Sequence, residues 1–430
     1  MLRHGRAWLA ALLFVGAWNV ATSAHADFRL WEENADDEWH HRSFSATGYL
    51  QAGFLYRQND ADSPSSQDQF WLQRARFGFR AQLHRWLLMR MELETSPAAS
   101  LTDAYIEAPF SPMLSIRAGQ FKVPFMRSVL YSETSLAFID RPLFTPQSPD
   151  RRNFANIYGR DIGFMLTGTF GNREVARHSP AIQYMVGAFL GRGANQIVND
   201  DNAFMYAGRL QFHVFGAPVG ADIEGDYVRN DFPRVAVGVG GYTNCDDRGN
   251  WNRGWTVDSE FRYRGLFASL AFVRFRNGGV HDSGVGKLFG YQGSCRDGVG
   301  GGAAESVAWG VNAQVQYMLP QAFFPFPEQS LELLTRFDAV APNNPSNGSF
   351  LGGGVGTSGY TAPTAYADPD NAPSTWRLTF GVNWFPTSSQ IIHLSLNYQL
   401  NRETEHVTIS SREVIAIKND ILWLQLTAGF

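Results

Sequence analysis

The sequence predicts an all-β fold, a transmembrane antiparallel up-and-down β-barrel of about 16 strands. Three observations predict it: repeated segments alternate apolar and polar residues, the connections between them alternate in length, and aromatic residues are abundant, with 33 Phe, 15 Tyr and 12 Trp. A barrel strand needs this period of two because it turns apolar side chains to lipid and polar ones to the interior. No stretch of 18 apolar residues follows the N-terminal region, which excludes a helical membrane protein.

The alternating pattern recurs along the chain and continues to its last residue. The final segment, Asp420–Phe430, alternates strictly, with Leu422 and Leu424 facing opposite to Trp423 and Gln425. Each such segment is long enough for a membrane-crossing strand, which needs about 9–11 residues. The predicted strands are Ser43–Asn59, Gln69–Leu83, Trp86–Thr95, Leu101–Ala108, Leu114–Phe121, Tyr158–Phe170, Ala181–Leu190, Ala203–Phe215, Arg234–Thr243, Gly254–Arg264, Leu266–Arg276, Glu305–Met318, Leu331–Val340, Thr375–Phe385, Gln390–Asn401 and Asp420–Phe430.

The connections favour a barrel over a sandwich. Short turns at one end and long loops at the other are the barrel arrangement, with the short turns in the periplasm. Two connections at the periplasmic end, Gly216–Pro233 and Leu319–Gln329, are longer than expected, so 14 or 18 strands remain alternatives. Short turns lie at 84–85, 109–113, 264–265 and 386–389, and long polar segments at 60–68, 122–157, 191–202, 277–304, 341–374 and 402–419.

The N-terminal residues resemble a secretory signal. Arg3 and Arg6 precede the apolar stretch Trp8–Ala17, and Ala24 and Ala26 form an A-x-A cleavage site. We expect residues 1–26 to be a cleaved signal peptide, 27–42 a short periplasmic segment and 43–430 the barrel. An uncleaved anchor helix and a disordered leader are the alternatives for the first two segments. Export and the barrel pattern together predict the bacterial outer membrane.

The two cysteines and the overall charge narrow the function classes. Cys245 and Cys295 lie in polar, glycine-rich segments, and export favours a disulfide between them over two free thiols. The net charge of −4 argues against a nucleic-acid partner. We expect no metal site, no cofactor and no enzyme. His393 and Ser395 share one face of a strand, but side chains two residues apart are about 7 Å apart and do not hydrogen-bond directly.

Basic side chains concentrate on the predicted inner face. Arginine suits oxyanions because its guanidinium group is always charged and presents a planar fork of donors. Strand alternation places Arg74, Arg76, Arg80 and Arg90 on that face. If the long segment 122–157 folds into the barrel, further basic residues join them, namely Lys122, Arg127, Arg141, Arg151 and Arg152. The nearby counter-charges are Glu92, Glu94, Asp103 and Glu133. We assign Tyr317, Phe380, Trp384 and Phe430 to lipid contacts or interfacial girdles, and we prefer the same structural role for Tyr105 over the alternative that it shapes a solute path.

Several segments together resemble the phosphate-selective porin O and P family. They are Leu72–Arg80, Leu101–Tyr105, Ile116–Phe125, Phe380–Phe385, Leu394–Tyr398 and the closing strand. The resemblance implies a homotrimeric 16-stranded barrel, a third outer loop folded into the pore, and a path lined by Arg and Lys for small anions, phosphate or other oxyanions. The chain departs from the family in having only three lysines, Lys122, Lys287 and Lys418, which leaves phosphate or general anion selectivity open.

Other functions of a barrel remain as alternatives. A basic wall facing an acidic loop gives a general diffusion pore without strong anion preference, and a plugged barrel gives a structural protein that conducts nothing. A pore for neutral sugars would carry an aromatic stripe inside. The expected partners are small anionic solutes, the outer-membrane lipids and lipopolysaccharide.

Overall fold

The computed structural model of the protein describes most of the predicted barrel. The described residues are 28–32, 42–58, 68–96, 98–145, 157–171, 180–199, 203–215, 223–245, 251–277, 306–320, 328–344, 375–387, 390–403, 407–409, 412–414 and 420–430. The predicted signal peptide, residues 1–26, lies outside them. Within the described residues, no helix is long and apolar enough to span a membrane.

Sixteen antiparallel strands form one closed ring, in which β2 to β16 follow one another and β19 pairs back onto β2. The predicted count of 16 is therefore confirmed, and the alternatives of 14 and 18 are wrong. The described residues also contain three strands outside this ring, β1, β17 and β18. All the strands are β1 (Phe28–Glu32), β2 (Ser43–Arg57), β3 (Gln69–His84), β4 (Leu87–Glu94), β5 (Ser100–Ser111), β6 (Leu114–Lys122), β7 (Arg160–Gly171), β8 (Ala181–Phe189), β9 (Met205–His213), β10 (Arg234–Cys245), β11 (Trp251–Tyr263), β12 (Leu266–Asn277), β13 (Ser306–Met318), β14 (Ser330–Asn344), β15 (Thr375–Phe385), β16 (Ile392–Glu403), β17 (Val407–Ile409), β18 (Arg412–Val414) and β19 (Ile421–Gly429).

The C-terminal strand closes the ring. Backbone hydrogen bonds join Phe430 to Gly48 in both directions, at 3.1 and 2.9 Å. Below this point β1 continues the pairing, since Phe28–Glu32 runs antiparallel to the first residues of β2, Ser43–Ala46. The predicted N-terminal segment 27–42 therefore contains a strand next to the barrel seam. Closure leaves the barrel without a free sheet edge, which a membrane-spanning sheet requires.

Each barrel strand has two chemically different faces, as the alternation predicts. On β15 the inward residues Arg377, Thr379 and Asn383 are buried, whereas Phe380 and Trp384 are exposed on the outer surface. Tyr317 and Phe430 are exposed in the same way, as expected of residues that contact lipid. Tyr105 differs from this group because its ring faces the lumen.

The third outer loop lies inside the barrel. We call it loop 3, residues 123–159 between β6 and β7, of which 123–145 and 157–159 are described. It contains the short helix α1 (Arg127–Leu130) and a 3₁₀ turn at Glu133–Ser135. Its apolar side chains form a core with the inner wall, where Phe125 packs on Tyr242 and Phe275 at ring-centroid distances of 4.9 and 6.0 Å.

Two inward-facing glycines let loop 3 approach the wall closely. A Cβ atom at Gly240 of β10 would collide with the carbonyl oxygen of Phe125. At Gly310 of β13 it would lie 2.6 Å from the ring of Phe144. The loop is thus seated against the wall of β10 to β13, because these positions carry no side chain.

Substitution of Gly310 by valine should lower the single-channel conductance. The new side chain displaces Phe144 from the β13 wall, and the loop can move only toward the opposite wall, because interiors are close-packed. Planar-bilayer recording of the two proteins measures the effect. Ala313→Val, on the outward face of the same strand, is the matched control and should leave the conductance unchanged. Equal conductance of the Gly310 variant and the wild type would contradict the assigned seat of the loop.

Candidate functional site

A cavity of about 460 Å³ remains between loop 3 and the wall formed by β2 to β9. It is lined on the wall side by charged and polar groups and on the loop side by residues 127 and 130–133. Its charged lining residues are Arg76, Arg90, Glu92, Asp103, Glu107, Arg117, Lys122, Arg127, Glu133 and Arg160. Four of the predicted basic residues and three of the predicted counter-charges are therefore on this one cavity.

The wall contributes a compact network of ion pairs. Arg76 donates from Nε to Glu94 at 2.6 Å and from a terminal nitrogen to Glu92 at 3.2 Å. Arg90 donates to the second oxygen of Glu92 at 3.0 Å. These two arginines therefore share two carboxylates, and this part of the wall is close to neutral. Thr102 also donates to Glu92, at 3.0 Å, which fixes the carboxylate in place.

A second ion pair of the wall joins β5 to β7. Arg160 donates from Nε to Asp103 at 2.9 Å, and both side chains are buried. Arg160, the first residue of β7, is not among the site residues that the sequence predicts. Arg160 stands opposite Lys122 in the strand register, where the two ends of loop 3 meet. This pairing across the loop ends is the signal that could have identified it.

Lys122 joins the wall to the loop. Its ammonium group donates to the carbonyl oxygens of Leu130 at 3.2 Å and Tyr131 at 2.6 Å. Among the described residues no carboxylate lies within 4.0 Å of this nitrogen. An ammonium group has three N–H donors, so one remains to meet a ligand in the cavity. Lys122 therefore places its amino group on the cavity without an adjacent carboxylate in the described structure.

Glu133 fixes the loop to the wall but does not balance the local charge. Arg141 of the loop lies 2.9 Å from one of its oxygens, and Arg74 of β3 lies 3.4 Å from the other. Burial raises the pKa of Glu133, but the positive charges of Arg141 and Arg74 outweigh burial and hold it well below its usual range. One carboxylate thus faces two guanidinium groups, which leaves an excess of positive charge beside Lys122.

The other side of the loop is anchored on the far wall. Arg336 donates to a carboxylate oxygen of Asp140 at 2.8 Å, and Arg377 bonds its other oxygen. Gln399 donates to Asp140 at 3.0 Å. Asp338, on β14, accepts hydrogen bonds from both Arg336 and Arg377. Burial raises the pKa of Asp140, but Arg377 and Arg336 overcome this and lower it below the ordinary value.

Loop 3 also contacts the wall between these two attachments. Arg127 donates to Glu260 of β11 at 3.0 Å, and the hydroxyl group of Tyr131 donates to the other oxygen of Glu260 at 3.0 Å. The loop thus contacts Arg74 on β3, Glu260 on β11 and Arg336 on β14, which lie on different sides of the ring. It therefore crosses the lumen rather than following one wall.

A periplasmic connection fills the lumen below the loop. Residues 223–233, between β9 and β10, fold into the barrel, which accounts for the unexpected length of that connection. The carboxylate of Glu224 accepts hydrogen bonds from the backbone N–H of Ala137 at 3.0 Å and from Gln314 at 2.7 Å. Arg262 donates to the carbonyl oxygens of Ile223 and Gly225, each at 2.8 Å. The open part of the described lumen therefore lies beside β2 to β9.

The remaining predicted residues lie elsewhere. Arg80 is on the inner face of β3 but exposed, nearer the periplasmic end than the cavity. Arg151, Arg152 and Cys295 lie outside the described residues, so their roles and the disulfide with Cys245 stay predictions. The described residues contain no group of three or more His, Cys, Asp and Glu side chains that could hold a metal ion.

A family model, "Phosphate-selective porin O and P", matches residues 44–214. The match confirms the predicted resemblance over β2 to β9, the strands that wall the cavity. It includes Ile116–Phe125, where Gly119 has a φ of +128° and a Cβ atom would lie 2.8 Å from the Cα of Tyr105. Only glycine fits this position, which explains why Gly119 stands in this segment.

Several solved structures share the fold at low sequence identity. OmpF of Salmonella typhi, solved with daunomycin, is 12% identical, with 93% of this chain and 100% of that chain covered and a TM-score of 0.51. OmpT of Vibrio cholerae, expressed in the outer membrane, is 10% identical with the same coverages and a TM-score of 0.50. OprB of Pseudomonas putida is 11% identical, with coverages of 90% and 94% and a TM-score of 0.50. Among curated proteins nothing matches.

The porin family match and the closed barrel support a channel for passive diffusion in the outer membrane. In a channel of this kind, selectivity comes from the width of the pore and the charges that line it. The cavity between loop 3 and β2 to β9 is where this chain combines narrowness with charge.

Proposed function

We propose that this porin passes small anions, with oxyanions the favoured class, through the cavity between loop 3 and the wall of β2 to β9. The observation that carries the proposal is the position of Lys122. It lines the cavity, its ammonium group is held by two loop carbonyls, and among the described residues no carboxylate neutralises it within 4.0 Å. The sharing of Glu133 by Arg74 and Arg141 adds positive charge at the same junction.

The geometry supports an anion path more than a path for cations. A cation that enters the cavity passes Lys122, while the nearby carboxylates Glu92, Asp103 and Glu133 are already engaged by arginines. An anion can instead accept the remaining N–H of Lys122 without breaking an ion pair. Charges that flank a narrow, partly enclosed path act strongly, because the effective dielectric constant is lower there than in bulk water.

Oxyanions fit the lining better than halides do. Guanidinium groups and a lysine ammonium group present several N–H donors to an oxygen-rich anion, and the polar side chains of Ser132, Gln183 and Gln211 complete the lining. The family resemblance favours phosphate, but Lys122 is the one lysine among the described residues. We therefore propose the broader class, small oxyanions, with phosphate as one member.

We further propose that the mature protein, after removal of residues 1–26, is a homotrimer in the outer membrane. The resemblance to the porin O and P family supports this assembly, and symmetric closed oligomers are the common form of identical subunits. Light scattering of the detergent-solubilised protein measures the number of subunits. A monomer in mild detergent and in native membranes would contradict the trimer.

The second candidate is a general diffusion pore without strong anion preference. The balanced network of Arg76, Arg90, Glu92 and Glu94 favours it, because matched opposite charges cancel at a distance. The two candidates differ in one measurable quantity, the reversal potential in a salt gradient. A reversal potential near zero supports the general pore, and one displaced toward the anion equilibrium potential supports the proposed anion channel.

Replacement of Arg74 and Arg76 together by alanine should reduce the anion preference. The change removes two guanidinium groups from Glu133, Glu92 and Glu94, which leaves these carboxylates less neutralised beside the path. The reversal potential in a chloride gradient, measured again with phosphate as the competing anion, reports the change. Arg80→Ala, on the same face of β3 but nearer the periplasm, should give a smaller shift.

Two results would contradict the proposal. If cations carry most of the current through the wild-type porin, the proposed anion preference is wrong. If the double variant folds, conducts and keeps the wild-type selectivity, Arg74 and Arg76 do not act on the path. The absence of conductance steps from the folded wild-type protein would favour a structural barrel instead.

A further inference from the structure

We propose that the solutes favoured by the cavity are organic oxyanions, in which a phosphate or carboxylate group is joined to an apolar ring. This inference rests on the proposed anion path and narrows its class of solute. The cavity, of about 460 Å³, has the size of sites that enclose organic ligands, roughly 300–1,000 Å³. An inorganic anion fills only a small part of such a space, so the remaining lining indicates what else the solute carries.

One side of the cavity is apolar. Four neighbouring strands, β5 to β8, each contribute one side chain to it, and we call this set the apolar strip. Its residues are Tyr105, Phe121, Met165 and Met185. The rings of Tyr105 and Phe121 pack edge to face, with their centroids 6.1 Å apart. Tyr105 and Met185 pack against the buried core of loop 3 and are only partly buried, so both also offer apolar surface to a solute in the cavity.

The apolar strip stays open because the next aromatic ring of the wall is withdrawn from the cavity. Phe189 of β8 packs on Phe121, with ring centroids 5.5 Å apart, and is fully buried. A Cβ atom at Gly163 would lie 2.5 Å from the ring of Phe189, and one at Gly187 would lie 2.8 Å from it. The ring therefore occupies the space that side chains at these two positions would take, and it does not project toward the solute.

An ion pair holds the edge of the apolar strip in place. The guanidinium group of Arg117 lies 4.3 Å from the centre of the Tyr105 ring and 5.5 Å from that of Phe121. Glu107 accepts hydrogen bonds from Nε of Arg117 at 3.0 Å and from a terminal nitrogen at 2.6 Å. Because this pair is neutral as a unit, the apolar strip offers a solute apolar contact rather than net charge.

Other parts of the lining supply donors for the charged end of the solute. Arg90 donates to Glu92 through one terminal nitrogen, and its side chain is 26% exposed on the cavity, so further N–H groups can meet a solute. The hydroxyl group of Tyr49 has no hydrogen-bond partner among the described residues. The amino group of Lys122 adds its remaining N–H. A phosphate or carboxylate group accepts several such bonds, and those from a guanidinium group are charge-assisted.

The test compares three solutes as blockers of the chloride current through the folded porin in planar bilayers. Inorganic phosphate has the charged group alone, phenyl phosphate adds a ring, and phenyl glucoside has the ring without the charge. We expect phenyl phosphate to halve the current at a roughly tenfold lower concentration than inorganic phosphate, because its ring leaves water for the apolar strip. Phenyl glucoside should block less than phenyl phosphate. Benzoate and acetate form a second matched pair and should give the same order.

Replacement of Met165 and Met185 together by glutamine should remove most of the advantage of phenyl phosphate. Glutamine is close to methionine in size but ends in a polar amide, so the variant loses apolar surface without a change of charge. The measured quantity is the ratio of the two half-blocking concentrations, in which a general change of conductance cancels. Met113→Gln, at the exposed turn between β5 and β6, is the matched control and should keep the wild-type ratio. Heat-modifiable electrophoretic mobility verifies that each barrel is folded.

The outcomes separate this inference from the proposed function. Equal half-blocking concentrations of phenyl phosphate and inorganic phosphate in the wild type would overturn the inference and leave the anion path intact. Equal block by phenyl glucoside and phenyl phosphate would show that the charged group contributes nothing. A wild-type ratio in the folded double variant would remove the apolar strip from the site. A current carried mostly by cations would instead contradict the proposed function itself.

Discussion

Lys122→Glu should convert the proposed anion preference of the channel to a cation preference. At 4 Å, two unit charges interact by about 4 kcal/mol for an effective dielectric constant of 20, and exchange of the sign doubles the change. Ions and water in the cavity screen most of this energy. We therefore expect at least a roughly tenfold fall in the anion-to-cation permeability ratio, measured from the reversal potential in a potassium chloride gradient.

Two further variants make the Lys122 experiment specific. Lys122→Arg keeps the charge and should keep the anion preference, while Lys122→Gln should give an intermediate permeability ratio. The carboxylate of the Glu variant also faces the carbonyls of Leu130 and Tyr131, so the loop can shift. Conductance of the Gln variant separates that movement from the effect of charge. An unchanged reversal potential in both the Glu and Gln variants would place the selective region elsewhere.

The barrel was predictable because its signal is local. A strand in a closed membrane barrel must alternate over about ten residues, and β16 shows the result: predicted at Gln390–Asn401, it is observed at Ile392–Glu403. β5 was predicted too short, at Leu101–Ala108, and is observed at Ser100–Ser111. The strand continues through Pro109 to Ser111, and a register shift at this point accommodates the proline.

The inner surface was predictable in part. Alternation correctly placed Arg76 and Arg90 on the cavity, since both lie in the middle of regular strands. It did not identify Arg160, which lies at the start of β7 next to the folded loop and pairs with Asp103. Tyr105 was assigned to the lipid interface, yet it lines the cavity, with Arg117 at 4.3 Å above its ring. Because both faces of β5 carry polar and apolar residues, its sequence does not show whether a tyrosine points inward or outward.

The path of loop 3 was beyond the reach of sequence patterns. Its anchors join residues that are far apart in the chain, and Arg336 is 196 positions from Asp140. Nothing in the local pattern distinguishes Asp140 from other acids of the loop, or Glu224 from other residues of the periplasmic connection. These positions gain their meaning only when the ring closes and brings β14, β15 and β16 next to the loop.

Asp140→Ala should release loop 3 and raise the single-channel conductance. The change leaves Arg336 and Arg377 with Asp338 as their remaining carboxylate partner, and all three side chains are buried. Loss of one member of a buried ion network costs about 3–5 kcal/mol, and the retained Asp338 favours the lower end of that range. Because the fixed barrel strands bear the arginines, the loop is the element that moves.

The conductance of the Asp140 variant should therefore be larger and more variable in time than that of the wild type. Planar-bilayer recording gives both quantities, and limited proteolysis reports whether loop 3 becomes accessible. Asp420→Ala is the matched control, since Asp420 pairs with Arg402 of β16 and does not contact the loop in the described structure. It should retain wild-type conductance. A folded Asp140 variant with wild-type conductance would show that Phe144, Glu133 and Glu224 hold the loop without this anchor, because their contacts do not depend on Asp140.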